Sequence, residues 1–95
     1  MRRAAKIDTA QPAIADHIRR AGWGLRFSTS IGDDFPDLIV ACGRFTALVE
    51  CKTGRRKLTL GQQQFAETWP GVVIVGRTPE QTLRDLERAR AEVME

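Results

Sequence analysis

The sequence predicts an α/β fold in which helices flank a mixed sheet of four strands. Three features of the 95-residue chain support this prediction. Short apolar runs alternate with segments whose apolar residues recur at helical spacing. Gly43-Arg44 separates two of the apolar runs, as in a β-hairpin. A helical segment then separates the third and fourth strand-like runs, and such a crossover favours parallel pairing of those two strands.

The pattern predicts the element order α-β-β-β-α-β-α. The elements are a helix at 9–21, strands at 23–30, 37–43 and 44–52, a helix at about 59–69, a strand at 72–76 and a helix at 79–93. The segments between them are expected to be loops, among them the basic stretch "TGRRK".

Local signals set the boundaries of these elements. Thr9 is the expected cap of the first helix, which Gly22 ends. Thr59 caps the second helix, and Pro70-Gly71 stops it. Glycine at the first position of the Gly43-Arg44 loop suits a type II′ turn, which fixes the register of the hairpin.

Composition predicts one globular domain spanning residues 1–95. The chain is 42% hydrophobic and 28% charged, values typical of folded proteins and not of disordered ones. No apolar run approaches the roughly 20 residues of a membrane helix, and the basic start has no apolar segment behind it, so a cytoplasmic protein is expected. Cys42 and Cys51 lie in strand-like runs and are expected to be reduced, buried thiols.

The basic charge is unevenly distributed along the chain. Residues 1–78 carry twelve Lys/Arg against seven Asp/Glu, whereas residues 79–95 carry three against five. The body of the protein is therefore basic and its last helix is acidic. Such an arrangement suits a polyanion such as a nucleic acid, although many basic proteins bind none.

The hairpin brings two carboxylates together at its open end. If Cys42 faces Phe45, counting outwards places Asp37 directly opposite Glu50, with Cβ atoms roughly 5 Å apart. Lys52 lies two residues beyond Glu50 and shares its face of the sheet. The opposite face of both strands is apolar, so one side of the hairpin is expected to be buried.

Two interpretations account for this acidic pair. Opposed like charges are destabilising, so one carboxylate has a raised pKa or a cation lies nearby. The cation can be Lys52, which makes the group a structural ion-pair cluster. It can also be a hard divalent ion such as Mg²⁺, which often takes one or two protein carboxylates and completes its shell with water and phosphate.

The motif "PDLIVACGRFTALVECKTG" resembles the PD-(D/E)XK nuclease signature, with Asp37 in its first half and Glu50-Cys51-Lys52 in its second. More narrowly, the chain resembles the VRR-NUC family, in particular the small stand-alone nucleases of phages and bacteria. The similarity runs from "KIDTAQ" through "GDDFPDLIV", "LVECKTG" and "RKLTLGQQQF" to the last helix, and so covers nearly the whole chain. It implies a PD-(D/E)XK, restriction-endonuclease-like core in a bacterial or phage-infected cell.

The resemblance implies roles for the site residues. Asp37, Glu50 and the backbone carbonyl of Cys51 would bind Mg²⁺ or Mn²⁺, and Lys52 would position the attacking water and stabilise charge on the scissile phosphate. Gln62 matches a glutamine that lines the site in this family. Its alternative role is structural, because Thr59 and Gln62 have the spacing of a helix capping box.

The sequence departs from the family at one position in the first helix. Members usually carry an acidic residue there, and alignment places Ala13 at that position. Asp16 lies about one turn along and is the candidate substitute. The absent carboxylate bears on whether a second metal binds and on whether the protein is active.

The sequence therefore predicts a Mg²⁺- or Mn²⁺-dependent DNA endonuclease, with branched DNA as the expected substrate and a homodimer as the expected assembly. The basic loop residues that follow Lys52 would contact backbone phosphates: Arg55, Arg56 and Lys57. The alternatives are a DNA-binding module that keeps the fold without turnover, and a basic structural protein. His17 is expected at the surface, and Trp23 and Trp69 in the core.

Overall fold

A computed structural model describes residues 8–94 as a sheet with helices on it, in the predicted order. The elements are α1 (Gln11–Arg20), β1 (Gly24–Phe27), a 3₁₀ turn (Thr29–Ile31), β2 (Leu38–Cys42), β3 (Phe45–Cys51), α2 (Leu60–Thr68), β4 (Val72–Gly76) and α3 (Pro79–Val93). The first residues of the "KIDTAQ" similarity, Lys6 and Ile7, lie outside the described range.

The sheet is mixed, as predicted, with strand order β1-β2-β3-β4. The first three strands pair antiparallel, and β3 pairs with β4 in parallel. The hairpin register places Cys42 opposite Phe45 and Leu38 opposite Val49, which confirms the register predicted from the turn. Gly43 has a φ of +61°, a left-handed conformation that glycine adopts at the first position of a type II′ turn.

The core lies between one face of the sheet and the two helices α1 and α3. The buried apolar residues from these elements and from β1 form a single cluster: Ile14, Ala15, Ile18, Trp23, Leu25, Leu38, Val40, Phe45, Ala47, Val49, Cys51 and Leu86. The β2 and β3 residues in this cluster are on the hairpin face that the sequence predicted to be apolar. Because side chains alternate along a strand, Glu50 and Lys52 project from the other face.

The start of α1 differs from the prediction. The residue before the helix is Ala10, which has no side-chain cap, and the hydroxyl of Thr9 instead lies 2.8 Å from the hydroxyl of Thr53. The side chain of Asp8 accepts the Ala10 N–H at 3.0 Å. Thr9 was therefore wrongly predicted as the cap, because it contacts a distant loop rather than its own helix.

The α2 helix is attached to the loop before β2 by aromatic side chains. Phe65 and Trp69 stack with centroids 5.1 Å apart, and the ring of Phe35 meets both edge-on. Trp69 is 40% exposed, so its placement in the core was wrong, whereas Trp23 is buried as predicted. No helix in residues 8–94 is long and apolar enough to cross a membrane.

Candidate active site

Asp37 and Glu50 meet at the open end of the β2–β3 hairpin, as the register predicted. Asp37 immediately precedes β2 and its N–H donates to the Val49 carbonyl at 3.0 Å, which continues the ladder by one residue. The two acidic residues are only 8% and 6% exposed. The hairpin thus places two buried carboxyl groups side by side on neighbouring strands.

The pKa of Glu50 lies well above its usual range. Burial, the charge of Asp37 and a hydrogen bond to the Asp37 carboxylate raise the pKa of Glu50 to about 8, and the charge of Lys52 only partly opposes this rise. At pH 7 without a bound cation, Glu50 is therefore mostly protonated. A cation that entered the pair would displace this proton.

The Asp37 carboxylate is held by its neighbours. One oxygen accepts the buried backbone N–H of Cys51 at 2.8 Å, and the other lies 3.4 Å from the hydroxyl of Thr29. That hydroxyl is also 3.4 Å from the amide oxygen of Gln11, a buried residue in the first turn of α1. Sequence reasoning missed Thr29 and Gln11, because their contact with Asp37 depends on tertiary folding and follows no motif spacing.

Lys52 is buried beside the carboxyl groups but does not neutralise them directly. It is 6% exposed, and its backbone N–H bonds the Gly76 carbonyl at 2.9 Å. Within residues 8–94, the ion pairs closer than 4.0 Å are Arg20–Asp16 and Arg56–Asp8, and neither involves Lys52. Lys52 makes no ion pair closer than 4.0 Å with either carboxyl group, but its charge lowers the pKa of Glu50. A structural cluster therefore remains the alternative to a metal site.

A cavity of about 380 Å³ opens over the carboxyl pair. It is lined by Asp8, Thr9, Asp37, Glu50, Cys51, Lys52, Thr53, Arg56, Thr59 and Gln62. The structure therefore brings together five predicted residues of the catalytic and metal sets with one of the three predicted DNA contacts. Arg55 and Lys57 are exposed and lie outside this lining.

Gln62 takes part in both of the arrangements predicted for it. Its side-chain oxygen accepts the Thr59 N–H at 2.9 Å, and its backbone N–H donates to the Thr59 hydroxyl at 3.1 Å, which completes the capping box. Its side-chain nitrogen donates to Glu50 at 3.2 Å. Because the cap fixes where the amide oxygen points, it also directs the NH₂ group towards Glu50.

Asp8 is a cavity residue that sequence reasoning missed. It accepts bonds from the N–H of Thr53 at 3.1 Å and from the Thr53 hydroxyl, and Arg56 lies 3.8 Å away. Burial acts to raise the pKa of Asp8, but the hydrogen bonds from Thr53 and Ala10 and the charge of Arg56 outweigh it, so this pKa is below its usual value. Asp8 is therefore an ionised side chain that hydrogen-bonds and pairs mainly with the adjacent loop.

The candidate substitute for the first-helix carboxylate does not reach the cavity. Asp16 pairs with Arg20 at 3.0 Å on the exposed side of α1. Across residues 8–94, no three His, Cys, Asp or Glu side chains converge into a metal-binding group. The metal-ligand roles of Asp37, Glu50 and the Cys51 carbonyl stay predictions.

Comparison with family models, with characterised proteins and with solved structures finds no match for this chain.

Proposed function

We propose that this protein is a metal-dependent DNA endonuclease with a PD-(D/E)XK core, and that it hydrolyses phosphodiester bonds inside a bacterial or phage-infected cell. The observed element order and mixed sheet agree with that core. The observation that carries the proposal is the pair Asp37 and Glu50, which are opposed and buried at the floor of a cavity with no cation within ion-pairing distance among residues 8–94.

The donor set fits a hard divalent ion. Two carboxylates supply oxygen ligands, and Mg²⁺ commonly takes one or two of these and leaves its other positions to water and phosphate. Burial and the charge of Asp37 raise the pKa of Glu50, so a positive charge bound beside the pair would stabilise its ionised form. A divalent ion held by Asp37 and Glu50 would supply this charge and lower the pKa of bound water.

The neighbouring side chains suit phosphodiester chemistry. Lys52 brings a positive charge that is not consumed by an ion pair with a described residue, so it is available to orient a water molecule and to stabilise charge on a phosphate. Gln62 fixes one oxygen of Glu50 through its hydrogen bond. Arg56 also lines the cavity, next to where the DNA backbone would lie, and its charge is partly offset by Asp8 at 3.8 Å.

The test of this proposal is cleavage of defined DNA. Linear, nicked, flapped and four-way-junction substrates of equal length should be incubated with the protein in Mg²⁺, Mn²⁺ or EDTA. We expect scission in both metals and none in EDTA, with a branched DNA cut fastest. Cleavage that persists in EDTA, or no cleavage of any substrate, would contradict the proposal.

The second candidate is a DNA-binding module that keeps the fold without turnover. The observation that favours it is the position of Ala13 and Asp16, since neither supplies the cavity with the first-helix carboxylate that the resemblance implies. This module would bind DNA with strong salt dependence and would leave every substrate intact in Mg²⁺ and Mn²⁺.

We also propose that the active form is a homodimer. A chain of 95 residues offers a small surface, and a two-fold symmetric pair engages two arms of a branched DNA more readily than a single copy. Light scattering at micromolar concentration should give about twice the monomer mass of 10.6 kDa. A monomer mass both with and without junction DNA would contradict the dimer.

A further inference from the structure

The loop between β3 and α2, residues 53–57, is held in place by a side chain from a distant part of the chain. Arg77, which follows β4, donates from one guanidinium nitrogen to the carbonyls of Gly54 and Arg56, each at 2.8 Å. In residues 8–94, Arg77 has no carboxylate within 4.0 Å. Its charge therefore adds to the positive potential of the loop while its N–H groups fix the loop backbone.

Asp8 holds the same loop from the opposite end of the chain. It accepts the N–H and the hydroxyl of Thr53 and lies 3.8 Å from the guanidinium of Arg56. Within the loop, the Arg56 N–H closes a turn on the Thr53 carbonyl at 3.2 Å. Hydrogen bonds from Asp8, from Arg77 and across the turn thus fix the loop backbone at its first, second and fourth residues.

These contacts distinguish Arg56 from its basic neighbours. All three side chains are exposed, but Arg56 lines the cavity over the carboxyl pair and Arg55 and Lys57 do not. A loop that is ordered before DNA arrives loses less conformational entropy on binding, so an arginine on it contributes more to affinity. The three basic residues should therefore contribute unequally.

We propose that residues 53–57 form a preformed binding subsite for a backbone phosphate of DNA, in which Arg56 makes the phosphate contact and Arg77 and Asp8 are positioning residues that act through it. This inference rests on the proposed function, because it assumes that DNA enters the cavity.

The test is a double-mutant cycle on DNA binding, measured by fluorescence anisotropy with a labelled 30-base-pair duplex and a labelled four-way junction in EDTA. Arg56→Ala should weaken binding to both by roughly tenfold and lower the salt slope by about one. Arg77→Met, which keeps the apolar stem, should have a similar effect. The two losses should be strongly non-additive, so that the double variant binds only slightly more weakly than Arg56→Ala alone, by the amount that the lost charge of Arg77 contributes. The matched control Arg84→Ala, at an exposed position of α3, should change the affinity less than twofold.

The direction of the change in DNA affinity caused by Asp8→Ala distinguishes a positioning role for Asp8 from a purely electrostatic one. Removing a negative charge from the cavity should strengthen DNA binding if Asp8 acts only through its field. If Asp8 holds the loop, binding should weaken, and this loss should disappear in the Arg56→Ala background. Melting curves identify any variant that does not fold. If either Asp8→Ala or Arg77→Met fails to fold, the other variant alone still tests the proposal.

The outcomes separate this inference from the proposed function. Additive effects of Arg77→Met and Arg56→Ala, or unchanged binding by Arg77→Met, would overturn the subsite even if the wild type cleaves DNA. In cleavage assays, Arg77→Met should raise KM and leave kcat within twofold. A non-additive cycle with no cleavage would support the subsite and overturn the nuclease. Absence of any DNA binding would overturn both.

Discussion

Replacing Asp37 by asparagine, Glu50 by glutamine or Lys52 by methionine is expected to lower the single-turnover rate of DNA cleavage by a factor of about 10³ or more, by analogy with the loss of one preorganised stabilising group. Each change keeps the approximate shape of the side chain. If the proposed function is correct, each removes either a carboxylate that would bind the metal or the positive charge that would lie beside the phosphate. The fold should survive, because none of these side chains belongs to the apolar cluster.

The matched control for this series is Asp16→Asn. Asp16 is an acidic residue on an exposed face of α1, where it pairs with Arg20 at 3.0 Å outside the cavity. The Asp16→Asn variant should therefore cleave DNA at the wild-type rate. A near wild-type rate in any of the three site variants would contradict the catalytic assignment of that residue.

In EDTA, the free energy of unfolding is expected to fall as the pH rises from about 4.5 to about 8, because the pKa of Glu50 rises from 4.5 to about 8 on folding. Below this window Glu50 is protonated in both states and its contribution is constant. Inside the window the unfolded chain releases the proton while the folded protein retains it, so stability decreases with pH. With about 1.4 kcal/mol for each unit of pKa difference, the upper bound is on the order of several kcal/mol.

Urea unfolding at intervals between pH 4.5 and pH 8.5 measures this dependence. The difference between wild type and Glu50→Gln isolates the contribution of Glu50, since glutamine cannot titrate. Glu67→Gln, at an exposed position of α2, is the control and should follow the wild-type profile. Parallel profiles of wild type and Glu50→Gln would show that Glu50 titrates normally in the folded protein.

The sheet and its register could be predicted from the sequence because their signals are local. Glycine at position 43 determines the turn, and the turn determines which residues oppose one another across the hairpin. The meeting of Asp37 and Glu50 follows from this register and from alternation along the strands. The α2 cap was predictable for the same reason, because Thr59 and Gln62 are three residues apart.

The rest of the site could not be predicted, because it depends on contacts between distant parts of the chain. Asp8 and Arg77 reach the loop at 53–57 from opposite ends of the sequence, and no spacing relates them to it. Thr9 was assigned to its own helix because nothing local reveals that Thr53 lies within hydrogen-bonding distance. Trp69 was assigned to the core because an aromatic residue on a helix face usually packs inward, whereas here it stacks on Phe65 and stays partly exposed.

The proposed function requires that Asp37 and Glu50 together bind a divalent metal ion. Isothermal titration of Mn²⁺ into the wild type and into Glu50→Gln at pH 7, in two buffers of different ionisation enthalpy, measures both binding and proton release. We predict saturable binding to the wild type with release of about one proton per ion, since Glu50 is protonated at that pH, and no saturable binding to Glu50→Gln. Absence of binding to the wild type, or equal binding to both proteins, would contradict the account.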